Sequence, residues 1–222
     1  MAAKRISGLP IQYILGEWDF MGLTFDVGKG VLIPRPETEI LCEWVINKAE
    51  SIESPVIIDL CSGSGCIGLS IAHYIKDSKV YLVEKSDEAL KYIECNKAKL
   101  STDNAQVIHA DIFNTEELFS TLPKADVIVS NPPYIRSDDI PGLQHEVHHE
   151  PLMALDGGTD GLIFYRCLCE KWTSMLKSDG VMALECGEDQ AQDIAALFKN
   201  NSMKYEIIKD YNNIERIVIG GI

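Results

Sequence analysis

From residue 56 onward, apolar residues fall into short, nearly unbroken runs separated by segments with helical spacing. Val56–Leu60, Lys79–Glu84, 106–109, 127–130 and 181–186 read as strands buried on both faces. Between them, Cys66–Tyr74, 86–100, 161–176 and 190–200 carry the i, i+3, i+4 spacing of helices, with Ser86 placed to cap one of them. Lys204–Lys209 and 216–219 close the chain as two strands around Asn212-Asn213, a link short enough to require an antiparallel pair. This alternation predicts an α/β fold: a Rossmann-like, seven-stranded, mostly parallel sheet with an antiparallel C-terminal strand and helices on both faces.

The first fifty residues follow a different pattern. Residues 6–16 read as an irregular lead-in. Glu17–Phe20 and 23–27 flank Met21-Gly22 and predict a small β-hairpin, and 31–33 a further short strand. Pro34-Arg35-Pro36-Glu37-Thr38-Glu39 then forbids a strand and places acids in the first turn of a helix over 38–49, with Leu41, Trp44 and Val45 on one face. A boundary is expected near residue 53, dividing a hairpin-and-helix lead-in (1–52) from the sheet domain (53–222).

One strand ends in unusual chemistry. Val127-Ile-Val-Ser runs into Asn131-Pro132-Pro133-Tyr134. The prolines have no N–H for a sheet ladder, so the strand stops and Asn131 is presented beyond its carboxyl end, where open α/β sheets bind ligands. Pro133 restricts Pro132 to an extended conformation, which fixes its carbonyl, and Asn131 adds a side-chain carbonyl. Two fixed acceptors suit the two N–H bonds of a planar NH2 group, with Tyr134 available to cover the flat face of the group that bears it. A proline-terminated strand with a polar cap is the plainer alternative.

Other strands end in groups that suit a nucleoside. Asp59-Leu-Cys61-Ser62-Gly63-Ser64-Gly65 joins the first strand to a helix through a glycine turn that lets a ligand approach the backbone. Glu84 ends the second strand, where an acid accepts from ribose hydroxyls. Asp111, after the third, is placed to accept from an adenine amine, and Ile112 or Phe113 to pack on the ring; a turn acid and a core aromatic are the alternatives. Cys61 stands at the first glycine position of a dinucleotide fingerprint and the spacing differs, and no Walker lysine is present. A phosphate-free cofactor fits better, which points to S-adenosyl-L-methionine. Arg35, held rigidly between prolines, is a candidate substrate contact, with a surface ion pair to Glu37 as the alternative.

Composition narrows the partners. The 222 residues carry a formal charge of −14 with few, dispersed cations, which argues against a chain that grips nucleic acid by itself and favours a protein or small-molecule substrate. The seven cysteines lack disulfide or zinc spacing and read as reduced thiols of a cytoplasmic protein. No apolar run reaches membrane-spanning length, and no signal-peptide pattern follows Met1. His145, His148 and His149 match no metal motif and read as a surface segment, and Glu185 and Glu188 border the sheet edge without an assigned role.

The chain resembles class I S-adenosylmethionine-dependent methyltransferases, and within them the HemK/PrmC family of protein-(glutamine-N5) methyltransferases. The resemblance rests on residues 32–39, 59–65, Asn131-Pro-Pro-Tyr134, Glu150-Pro151 and 154–161. It implies methylation of the side-chain amide of a glutamine in the Gly-Gly-Gln loop of peptide chain release factors. It further implies cofactor contacts at residues 61–65, Glu84, Phe113 and Asn131, and glutamine contacts at residues 131–134. Catalysis is expected at Asn131, Pro132 and Tyr134, with substrate contacts extending to Pro133 and Arg35. Two departures stand out: Cys61 occupies a position that is glycine in many members, and the family's usual N-terminal helical domain has little counterpart before the hairpin. The Asn-Pro-Pro-Tyr signature is shared with enzymes that methylate the exocyclic amine of adenine, so a DNA or RNA adenine methyltransferase is the second reading and a non-catalytic cofactor-binding scaffold the third.

Overall fold

The computed structural model describes residues 5–222. Its centre is a seven-stranded sheet built from β3 (Val56–Leu60), β4 (Lys79–Glu84), β5 (Ala105–His109), β6 (Ala125–Ser130), β7 (Leu176–Glu185), β8 (Lys204–Lys209) and β9 (Glu215–Gly221). The order across the sheet is β5-β4-β3-β6-β7-β9-β8. β3, β4, β5, β6 and β7 are parallel, while β9 pairs antiparallel with both β7 and β8. The fold class read from the sequence is therefore the observed one. The chain steps outward from β3 to β5, then returns to lay β6 against the other side of β3, so the topological switch lies between β3 and β6. A crevice opens at that point beyond the carboxyl ends of the strands.

The central strands are apolar throughout because both faces are covered. Ile57, Val127 and Val129 join one hydrophobic cluster with Leu41, Val45, Leu69 and Ile93, from α2 (Pro36–Ala49), α3 (Cys66–Tyr74) and α4 (Asp87–Leu100). Ile58, Leu60 and Ile128 join the other, with Leu118, Leu168 and Phe198 from α5 (Thr115–Thr121), α6 (Ile163–Lys171) and α7 (Ala191–Asn200). Ser130 at the end of β6 donates to the Leu60 carbonyl at 2.6 Å, pinning the two strands together at the crevice.

The hairpin forms as expected. β1 (Glu17–Phe20) and β2 (Leu23–Asp26) are antiparallel, and Met21 and Gly22 both have positive φ, the requirement of a two-residue turn matched to the strand twist. The left-handed Met21 is held by its surroundings: its N–H donates to Glu39 and its carbonyl accepts from Tyr74. Phe20 and Phe25 lie in the same cluster as Ile57 and Leu82, so the core runs across position 53. Asn96, fully buried on α4, strengthens this join. Its amide donates to the carbonyls of Asp26 and Ser64 and its oxygen accepts from the Asp26 N–H, tying the hairpin to the turn after β3.

Several elements depart from the sequence reading. Residues 6–16 contain a short helix, α1 (Ile11–Leu15), ended by the left-handed Gly16. Residues 31–33 are not a strand; the Tyr13 hydroxyl and Glu150 take up the Val31 carbonyl and the Ile33 N–H that a ladder would have used. α2 starts two residues earlier than expected, at Pro36, whose missing N–H costs nothing in a first turn. α5 has too short an apolar signature to read, with Leu118 its one buried side chain. α6 stops at Lys171, a 3-10 turn covers Trp172–Met175, and β7 begins at Leu176, so the expected 161–176 helix gives its C-terminal end to that turn and to a longer strand. Ser86 caps α4 as predicted, accepting from the Ala89 N–H at 3.3 Å.

Candidate active site

A cavity of about 530 Å³ occupies the crevice, a size suited to a nucleoside-sized ligand with a substrate side chain. Its wall includes Cys61, Ser62, Gly63, Ser64, Glu84, Asp111, Phe113 and Asn131 from the sequence-predicted set, together with Arg35 and Pro133. The ends of β3, β4, β5 and β6 thus bring these residues together, as parallel strands must, while Gly65, also expected at the cofactor, is not in this wall and faces Leu69 and Leu82.

The turn after β3 is left-handed at Cys61 (φ 60°) and Gly63 (φ 57°). Glycine would adopt the first at no steric cost, whereas cysteine there carries some strain. A Cβ on Gly63 would meet nothing within 4 Å, because the residue faces open space. The Gly63 N–H is taken up by Glu84 at 2.8 Å, so this donor is not free for a ligand. The other Glu84 oxygen accepts from the N–H groups of Lys85 and Ser86 at 2.8 and 2.7 Å. Three backbone donors therefore fix a buried carboxylate in the cavity wall, where it can still accept from ligand hydroxyls through its remaining lone pairs. Asp111 is fixed in a similar way by the Phe113 N–H and the Lys85 ammonium. Burial opposes its ionisation, but these donors outweigh burial and its pKa is lowered. The Phe113 ring meets Phe164 at 5.2 Å, and both line the cavity.

Beneath the turn, Asp59 is completely buried and accepts from the Gly68 N–H at 2.9 Å. Burial raises its pKa to about 7, against the opposing hydrogen bonds of Gly68 and Ser62. The cavity-lining Cys61 thiol is pushed well up by burial, with Glu84 and Asp59 adding to the effect, so it is no thiolate nucleophile.

Asn131 shows the most informative geometry. Its Nδ2 donates to Thr38 Oγ1 at 3.1 Å and to Glu185 Oε1 at 2.9 Å. Its Oδ1 is buried and has no hydrogen-bond partner. Leaving a buried acceptor unpaired costs about 1–3 kcal/mol, so this oxygen has the capacity to take a donor that the chain itself does not supply. Glu185 is itself buried, and burial raises its pKa to about 7 against the bonds from Thr38 and Asn131 and the charge of Arg216.

The loop that carries Asn131 is braced from behind. The Ile135 N–H donates to the Leu155 carbonyl, and the Gly157 N–H returns to the Ile135 carbonyl at 2.8 Å. A Cβ on Gly157 would come within 2.7 Å of the Tyr134 Cα, so only glycine allows this approach. Gln190 donates to the carbonyls of Tyr134 and Gly161. Pro132 is buried, and Tyr134 lines a second, smaller cleft of about 210 Å³ with Arg136, Gly187, Gln190 and Arg216 instead of the main cavity wall. Arg35 pairs with the buried Glu150 and donates to the Ile33 carbonyl, so its ion-pair partner is Glu150 and not Glu37. The His145 and His149 rings meet edge to face at 5.5 Å, and among the described residues no group of three or more His, Cys, Asp or Glu side chains could hold a metal. No helix among the described residues is long and apolar enough to cross a membrane.

Sequence reading gave no role to Glu185 and gave Thr38 none beyond its motif. Their signal was available: Glu185 ends β7, the strand beside β6, and strand ends beside the switch point face the crevice. Lys85, Leu152, Met153 and Phe164 in the cavity wall carried no comparable signal.

A phosphate-free nucleoside fits this wall. Glu84 and Asp111 would repel a pyrophosphate, yet both can accept from hydroxyls or an amine, and the unpaired Asn131 Oδ1 requires a donor. Fold and crevice together define an S-adenosylmethionine-dependent methyltransferase. The methyltransferase small domain family matches residues 36–158. A release factor glutamine methyltransferase of Clostridium acetobutylicum is 41% identical over 218 residues, covering 97% of this chain and 76% of that protein. One from Thermodesulfovibrio yellowstonii is also 41% identical, over 97% of this chain and 77% of its own length. The chain belongs to the methyltransferase small domain family and, within it, to the release factor glutamine methyltransferases. Among solved structures, a precorrin-6y C5,15-methyltransferase from Geobacter metallireducens GS-15 superposes with a TM-score of 0.61 at 15% identity, over 88% of this chain and 92% of that one, a likeness of fold alone.

Proposed function

We propose that this protein methylates the side-chain amide nitrogen of a glutamine in the Gly-Gly-Gln loop of a peptide chain release factor. The observation that carries the reading is the buried, unpartnered Oδ1 of Asn131, presented from an amide whose Nδ2 is already committed to Thr38 and Glu185. The relatives' names support the same substrate.

Glu84 and Asp111 would hold the nucleoside by accepting from its hydroxyls and amine, and Phe113 would pack on its ring. When bound, the cofactor would supply an electrophilic methyl on a sulfonium, whose S–C electron pair would stay on sulfur as the N–C bond forms. Asn131 Oδ1 and the Pro132 carbonyl take the two N–H bonds of the glutamine amide and so aim the nitrogen. An amide nitrogen is a weak nucleophile because its lone pair is conjugated. Alignment offsets this, and in favourable cases such orientation is worth roughly 7–11 kcal/mol. As positive charge develops on nitrogen, both hydrogen bonds strengthen, which is stabilisation specific to the transition state. The methylated nitrogen is then acidic and releases its proton to water without a dedicated base. Pro133 forms the wall beside the amide, and Tyr134 contacts the peptide bearing it from the smaller cleft. Arg35 acts through its bond to Glu150, holding the Pro34-Arg35-Pro36 wall in place.

The test is to incubate the protein with methyl-labelled S-adenosylmethionine, a release factor and a nucleic-acid pool. Label on the Gly-Gly-Gln glutamine, abolished when that glutamine is replaced, is the expected result. Label on nucleic acid would favour an adenine methyltransferase, and label on nothing a scaffold or an absent partner.

A further inference from the structure

We infer that Thr38 and Glu185 are positioning residues that lock the Asn131 side-chain amide in the one flip state able to accept from the substrate, an inference that rests on the function proposed above. An asparagine amide has two flip states of nearly equal shape and opposite chemistry. One presents an acceptor to the cavity, the other two donors. A glutamine NH2 group can be gripped only by the first; the second would set N–H against N–H.

The surroundings decide between them. An ionised carboxylate only accepts, so Glu185 admits Nδ2 and repels Oδ1. In this structure the Thr38 hydroxyl oxygen accepts from Asn131. What Thr38 turns toward Asn131 is therefore a lone pair, which admits Nδ2 again at 3.1 Å. Two acceptors on separate elements, α2 and β7, thus hold Nδ2 of Asn131, and the unpaired Oδ1 is left outside that pair. Glu185 is steadied in turn by the Tyr165 hydroxyl on its main-chain carbonyl at 2.7 Å. A buried carboxylate with no cation in hydrogen-bond contact is costly to keep, and the flip lock gives it a purpose.

The lock works only while Glu185 is ionised. A protonated carboxyl can donate to Oδ1, and both flip states are then allowed. The groups facing it are Glu37 on α2, which opposes ionisation, Arg216 on β9, which favours it, and the neutral Thr38 and Asn131. Tyr134 beyond β6, Tyr165 on α6, Cys66 at the start of α3 and the adjacent Cys186 also feel its charge and stay protonated through the neutral range.

The experiment measures single-turnover methyl transfer to the release factor and cofactor affinity by calorimetry, from pH 5.5 to 8.5. In the natural protein the rate should fall on acidification through one ionisation at or below about pH 7. Glu185→Gln, which can donate to Oδ1, should lower the rate at pH 8 by about 10²-fold, leave cofactor affinity within about threefold, and abolish the acid limb. Thr38→Val should cost about tenfold, and Thr38→Ser should restore the rate to within about twofold. The inference is overturned if Glu185→Gln keeps the natural rate. It is equally overturned if that variant loses cofactor affinity in step with rate while keeping the acid limb, because the role is then structural. Asn131→Ala separates the two layers: if it is inactive while Glu185→Gln and Thr38→Val turn over normally, the positioning inference alone fails, whereas near-normal turnover by Asn131→Ala removes the proposed function beneath it.

Discussion

The two sides of the cavity are built on opposite principles. On the side proposed for the nucleoside, every carboxylate oxygen of Glu84 and Asp111 already has a donor from its own chain: three backbone N–H groups for the first, an N–H and an ammonium for the second. On the side proposed for the methyl acceptor, Asn131 and Glu185 bond each other, and each leaves a buried oxygen without a partner. Groups held in this way are rigid before any ligand arrives, so on the proposed reading the first side offers its ligand acceptors already fixed in place. The unsatisfied oxygens of the second raise the energy of the empty protein and leave an acceptor that a substrate can fill. The half proposed to bind and the half proposed to react thus differ less in residue type than in how completely the fold satisfies them.

The sharpest break in this contrast is Asn131→Ala. It should reduce methyl transfer by about 10³-fold or more while the cofactor dissociation constant, read by calorimetry, moves by less than about threefold. Glu84→Ala should do the reverse. Affinity for the cofactor should weaken by about 10²-fold, since the Gly63, Lys85 and Ser86 N–H groups lose their shared acceptor along with the ligand's, and saturating cofactor should recover much of the turnover.

A smaller effect sharpens the point on stability. The folded pKa of Glu185 lies near 7, above that of an exposed glutamate. The folded state therefore binds the extra proton between those two values, and the stability this confers is present at low pH and lost as pH rises to about 7. Glu185→Gln should thus be more stable than the natural protein at pH 8, by about 1–3 kcal/mol, and the gain should fall below about 1 kcal/mol at pH 5 and vanish at lower pH. A variant that is more stable and less active would show that the ionised acid is kept for function. The mildest test is Lys85→Ala. Its bridge to Asp111 is largely exposed on the lysine side, so cofactor affinity should change by no more than about threefold, and less at high salt.

The sheet was legible in the chain because parallel strands buried on both faces must be continuous apolar runs, and Val56–Leu60 and residues 127–130 are little else. The strand ends were legible for the same reason: topology alone carries Glu84, Asp111 and Asn131 to one edge. What could not be read were contacts made at long sequence separation. The Thr38 bond to Asn131 spans 93 residues and the Glu150 bond to Arg35 spans 115, and no local pattern encodes either. α1 and α5 escaped because helices of five and seven residues show too few turns for a period to emerge. Residues 31–33 misled through β-branched composition, although their backbone partners turned out to be the side chains of Tyr13 and Glu150.

The most direct measurement is a crystal structure of the protein with the demethylated cofactor and a peptide carrying Gly-Gly-Gln. The glutamine nitrogen should lie within about 2.7–3.2 Å of Asn131 Oδ1, with Nδ2 still on Thr38 and Glu185. A glutamine held by other groups, or an Asn131 whose oxygen stays unfilled, would contradict the account.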